Sequence, residues 1–126
     1  MEIQKIQEQG VPVALVHCQE ACVTDGQTAL DFMMNVNYQT DSRAILLNKE
    51  ALGENFFVLS TGVAGEILQK FVNYRFRLAI VGDFSGYNSK PLRDFIYESN
   101  QGSDIFFVPT REEGIRRLAR AELGQR

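Results

Sequence analysis

The chain has 126 residues, 44% of them hydrophobic, and a formal net charge of −3, with a sequence pI of about 5.1. That length fits one domain with a single core that needs no disulfide or metal to fold. The acidic balance argues against a general nucleic-acid binder, which requires a basic field. Arg116, Arg117, Arg120 and Arg126 form a short basic tail, read as the solvated face of a last helix. The opening MEIQKIQEQG has no apolar h-region, so no signal peptide is expected. Without a run of 18 apolar residues, no membrane span is expected either.

The predicted elements begin with an edge strand over Ile3–Gln9, broken by Gly10. Val11–His17 (VPVALVH) is a short β-branched run that suits a strand buried on both faces, and the two should form a hairpin. His17, Cys18 and Cys22 lie together in HCQEAC. This is one short cluster without a second pair elsewhere, so free thiols are expected and no metal site. Thr24-x-x-Gln27 has the form of a capping box, with Asp25 complementing the helix start. The following stripe is Ala29, Leu30, Met33, Met34 and Val36. Ala44–Leu47 reads as a buried strand, and the polar stretch from Asn48 to Asn55 as a loop or short turn.

Phe56–Leu59 leads into Ser60-Thr61-Gly62 and a helix over about Gly62–Asn73. Its inner face is Val63, Ile67, Leu68 and Phe71, with Ala64 and Gly65 small enough for close packing on the sheet. Leu78–Val81 is the clearest strand. Phe84–Lys90 is a turn-rich loop, followed by a helix with Pro91 in its first turn and Leu92, Phe95, Ile96 and Ser99 inside. Ile105–Val108 is the last strand. Thr110-x-x-Glu113 caps a final helix with Ile115, Leu118 and Ala119 inside. The order is ββαβαβαβα. An α/β domain is expected, with a mostly parallel sheet, an N-terminal antiparallel hairpin and four helices.

That order, ending in IFFVPTREEGIRRL, resembles the STAS (anti-sigma-factor-antagonist-like) domain. Leu59-Ser60-Thr61-Gly62-Val63 is similar to that family's Asp-Ser-Ser-Gly-Leu signature, with Leu59 in place of the Asp. The resemblance implies a regulatory module and makes Ser60 the counterpart of a phosphorylated serine. Over nearly the whole chain, and especially in GEILQKFVNYRFRLAIVGDFS, the sequence also resembles the bacterial domain-of-unknown-function family numbered 4180. That likeness implies a bacterial cytoplasmic protein and brings no activity with it.

Ligands of α/β sheets bind at the carboxyl ends of the strands. His17–Asp25, Ser60–Gly62 and Asp83–Lys90 should converge there. The candidate binding residues are Ser60, Thr61, Gly62, Asp83, Phe84, Ser85, Lys90 and Arg93. Ser60 and Thr61 suit a helix cap or an anion at a helix N-terminus. Phe56, Phe57, Phe84 and Tyr87 suit either a partner site or a plug for the core. No Gly-x-Ser-x-Gly elbow accompanies Ser60 and no Walker spacing follows Gly82, so no catalytic residue and no cofactor are expected. The leading expectation is a non-enzymatic regulatory domain that docks a protein partner, with a homodimer also compatible. The alternatives are a small-ligand or anion-binding domain at the strand ends, and a hydrolase- or transferase-like enzyme using His17, Ser60 and Asp83.

Overall fold

The computed structural model describes residues 1–124; Gln125 and Arg126 lie outside it. The strands are β1 (Glu2–Glu8), β2 (Val11–His17), β3 (Ala44–Asn48), β4 (Arg77–Val81) and β5 (Ile105–Val108). The helices are α1 (Gly26–Thr40), α2 (Val63–Asn73), α3 (Lys90–Gln101) and α4 (Arg111–Gly124). Three 3-10 turns, Lys49–Leu52, Glu54–Phe57 and Leu59–Thr61, fill the stretch between β3 and α2. The order ββαβαβαβα, the hairpin and the four helices are as the sequence implies.

The five strands stand side by side in chain order, β1 antiparallel to β2 and the rest parallel. Gln9 and Gly10, both at positive φ, make the hairpin turn, so β1 ends at Glu8 rather than Gln9. Each parallel crossover steps one strand in the same direction. Right-handed connections therefore place α1, α2 and α3 on the same face. Their apolar residues close over Ala14, Val16, Ile45, Leu47, Leu78, Ile80, Ile105 and Phe107. The alternate residues Val13, Leu15, Ala44, Leu46, Ala79, Phe106 and Val108 face the other way, where α4 alone packs. Gly114 makes that packing close: a Cβ there would stand 2.7 Å from Leu46 Cδ1.

Four local readings of the sequence are corrected. Asp25, not Thr24, caps α1: its side chain accepts from Thr28 N while Thr28 Oγ1 accepts from Asp25 N. The buried face of α1 includes Phe32, whereas Met34 is exposed. In α2, Ala64 is buried but Gly65 faces open space. Arg117 of the basic tail is half-buried. It donates to Asn100 O and lies 4.6 Å from the Phe106 ring centroid.

Two asparagine amides continue the sheet where its ladder stops. Past the β2–β3 pairing, Asn48 Oδ1 accepts from Cys18 N (2.9 Å) and Asn48 Nδ2 donates to Cys18 O (2.8 Å). On the far side of β5, Asn100 Oδ1 accepts from Phe107 N (2.7 Å) and Asn100 Nδ2 donates to Phe107 O (3.1 Å).

Candidate functional site at the carboxyl ends of the strands

The strand order decides where a cleft forms. With every crossover running the same way, the carboxyl ends on the three-helix face have no point where connections diverge. There the 3-10 turns and the Phe84–Lys90 loop fold inward. Phe56 is fully buried and Phe57 nearly so. Phe57 stacks on Tyr87 with centroids 5.1 Å apart, and Phe84 lies 6.1 Å from Phe57 and 5.4 Å from Phe107. These rings plug the core beneath the loops.

Lys49, from a stretch that reads in sequence as polar loop, closes this cluster from above. Its Nζ stands 4.7 Å from the Tyr87 centroid and 5.8 Å from those of Phe57 and Phe84, and donates to Asp83 O at 3.0 Å. An ammonium over ring faces is attracted by the ring quadrupoles, more strongly as water is excluded. Glu50, Glu54 and Asn55 border an open depression beside it.

The candidate residues are distributed as follows. Ser60 is exposed in the third 3-10 turn. The N-cap of α2 is Gly62, in the left-handed region at φ 79°, so Ser60 does not cap the helix. Thr61 secures the turn: its hydroxyl donates toward Asn55 O and Val58 O and accepts from Val63 N. Asp83 accepts from both the amide and the hydroxyl of Ser85, and the two bonds hold its carboxyl below the usual carboxylate range. Lys90 pairs with Asp94 one turn along α3, both largely exposed, and Arg93 is exposed. Ser89 caps α3. Phe84 belongs to the aromatic cluster. Among the described residues no hydrogen bond joins His17, Ser60 and Asp83, the set an enzyme would need.

The face carrying α4 alone is different. A cleft of about 520 Å³ opens at the carboxyl ends of β2, β3 and β4. Leu15, Leu46 and Val81 form an apolar floor, and Glu2, His17 and Arg111 stand among its polar groups. Arg111 is the first residue of α4, whose N-terminus is capped by Thr110 Oγ1 accepting from Glu113 N. Asn48 also lines the cleft, locked by Cys18 and by its bond to Glu50 Oε1, which is the main cause of a lowered Glu50 carboxyl pKa. The volume suits a small organic ligand, and an apolar floor with a few convergent polar groups is the usual composition of such sites. Of the lining residues, the sequence marks only His17 as a functional candidate, while Leu15, Leu46 and Val81 read simply as strand. The alternation of β2 and β3 could have marked Leu15 and Leu46 as facing away from the helix-covered side.

Among the described residues there is no cluster of three or more His, Cys, Asp or Glu able to hold a metal. No helix there is long and apolar enough to cross a membrane. No curated protein and no solved structure matches the chain significantly. One family model does match, over residues 8–118, which takes in all five strands at least in part and the cleft floor. The chain belongs to that family, described as Domain of unknown function (DUF4180).

Proposed function

We propose that this domain binds a small organic molecule with an apolar body and a polar or acidic head in the cleft at the ends of β2, β3 and β4. The observation that carries the reading is the apolar floor of Leu15, Leu46 and Val81, left open where α4 is the sole cover of that face. Arg111 supplies a cation for the ligand's head. His17 supplies a ring that both donates and accepts. The domain then acts as a binding module, and occupancy of the cleft bears directly on how the start of α4 sits on the sheet.

The test is a thermal-shift screen with small carboxylic acids, phosphates and neutral apolar compounds, repeated on Val81→Phe. A ligand at a hundredfold excess over its Kd adds about 2.7 kcal/mol to the native state. Val81 is half-buried at the cleft, so the larger ring should fill the space and remove the shift. A hit that stabilises Val81→Phe as much as the parent, or no hit in any class, counts against the cleft.

A second reading retains a protein partner at the face of Ser60 and the Phe84–Lys90 loop. It draws on the exposed Ser60 hydroxyl beside Val58, which is 50% exposed. Phosphorylation of Ser60 would place charge just before the N-terminus of α2, where N–H groups favour it. Pull-down with Ser60→Asp and Val58→Asp tests it. Partner recovery equal to the parent in both variants removes this reading.

A further inference from the structure

We propose that Cys18 and Cys22 form a dithiol–disulfide site that exchanges with low-molecular-weight disulfides. Both residues lie between β2 and α1, and their sulfurs stand 2.7 Å apart, well inside ordinary contact of two unbonded sulfur atoms. Cys18 is buried and Cys22 half-buried. The backbone is fixed on both sides of the pair. Asn48 clamps the Cys18 amide and carbonyl, and Cys22 N and Val23 N both donate to Ala51 O, at 2.9 and 3.0 Å. Bridging therefore requires side-chain adjustment and little backbone movement. Both cysteines line a surface depression of about 330 Å³ with His17, Gln19 and Glu20, open to a small reagent.

The exchange balances in two steps. Cys22 gives its proton to a solvent base, and its thiolate attacks one sulfur of the small disulfide. That S–S bond breaks, the first small thiolate leaves and takes up a proton, and Cys22 carries a mixed disulfide. Cys18, deprotonated in turn, attacks the Cys22 sulfur. The protein S–S bond forms and the second small thiol departs. The two cysteine sulfurs are oxidised, and their electron pair reduces the incoming disulfide to two thiols. Burial, together with the bond to Cys18, pushes the Cys22 thiol up to about 12. The first step is therefore slow at neutral pH and accelerates with alkali. The second is fast because the partner sulfur is already in place.

The test treats the folded full chain with oxidised glutathione, alkylates the remaining thiols at intervals and reads whole-protein and peptide masses. The expected result is joint loss of both thiols, a product lighter by two hydrogens, and little glutathione adduct in between. The rate should rise about tenfold per pH unit below the thiol pKa, following the thiolate fraction. Cys18→Ser should stop at a stable adduct on Cys22, and Cys22→Ser should react far more slowly than the parent because Cys18 is only 3% exposed. Should either variant fail to fold, the parent chain decides alone. A parent that halts at the mixed disulfide, or reacts only in urea, overturns the proposal, as does a folded Cys22→Ser that reacts at the parental rate.

Discussion

Replacing Lys49 by Met isolates what its charge does for the loops at the strand ends. Met keeps an unbranched side chain of similar length, and a thioether sulfur still gains about 0.3–1.5 kcal/mol against a ring. The stem of Lys49 lies against Gly82, where a Cβ would stand 2.8 Å from Lys49 Cβ, so Met preserves that packing. What is lost is the cation over Tyr87, Phe57 and Phe84 and the bond to Asp83 O. A cation over ring faces contributes about 0.5–1 kcal/mol at exposed sites and about 2 when desolvated. A hydrogen bond to a charged group adds about 1.5–3 kcal/mol. Lys49 is half-buried, so values near the low ends apply, and the new sulfur contacts offset part of the loss. The net expectation is a destabilisation of about 1–1.5 kcal/mol. For a domain of this size that lowers Tm by roughly 3–5 °C per kcal/mol. Urea unfolding should show a lower midpoint with an unchanged slope. Lys49→Met within about 0.5 kcal/mol of the parent would refute the claim that the ammonium holds the loops together, since ordinary surface substitutions fall in that range.

Gly114→Ala sets two effects in opposition. Ala gains about 1 kcal/mol of helix propensity over Gly, but its Cβ would lie 2.7 Å from Leu46 Cδ1 and 3.2 Å from Val108 Cγ2. Overpacking of about 1–3 kcal/mol should win, so urea unfolding should show a less stable variant, and a stabilised one would contradict the packing. Asn100→Ala strips both partners from the Phe107 peptide and should cost about 1–3 kcal/mol, with hydrogen exchange of the Phe107 amide accelerated. Asp25 and Asp83 both have lowered carboxyl pKa values, from bonds donated by Thr28 and by Ser85 respectively. The stability each supplies is full above its unfolded pKa and is lost as pH falls through the lower folded one. Carboxyl 13C titration should place both midpoints below the ordinary Asp range, and ordinary midpoints would remove the two bonds as a source of acid sensitivity.

The sheet was readable because VPVALVH, AILL, LAIV and IFFV are short, β-branched or aromatic runs between polar breaks. Helix faces are ambiguous in the sequence where apolar residues flank the stripe on both sides. Met33 is wholly buried in the core while its neighbour Met34 is 44% exposed, a difference set by which side of α1 meets the core rather than by composition. Thr24 and Asp25 are both competent caps, and only the returning bond from Thr28 selects Asp25. The aromatic plug is half visible in the sequence: Phe56, Phe57, Phe84 and Tyr87 stand out as loop aromatics, but Lys49 lies in a stretch that reads as plain loop. Its contacts with Phe57, Phe84 and Tyr87 span 8, 35 and 38 positions of chain. The cleft was hidden for a topological reason. The order ββαβαβαβα allows several strand arrangements, and the observed one, whose crossovers all run the same way, places three helices on one face and leaves the other to α4.

The Asn100 amide has a consequence for self-association. Val108 O accepts from Gly82 N and Asp104 O from Leu78 N, so residues 104, 106 and 108 turn their peptides toward β4. Residues 105, 107 and 109 then turn theirs outward. Phe107 is already occupied at both its amide and its carbonyl, and position 109 is a proline with no N–H to give. Among the described residues Ile105 alone offers a free pair on this margin, too little to template an incoming strand. Growth of the sheet from one copy into another is thereby confined to the β1 margin, where Lys5 sits mid-strand between Gln4 and Ile6. Two copies joined edge to edge would have to meet there, antiparallel or parallel, with that charge between them.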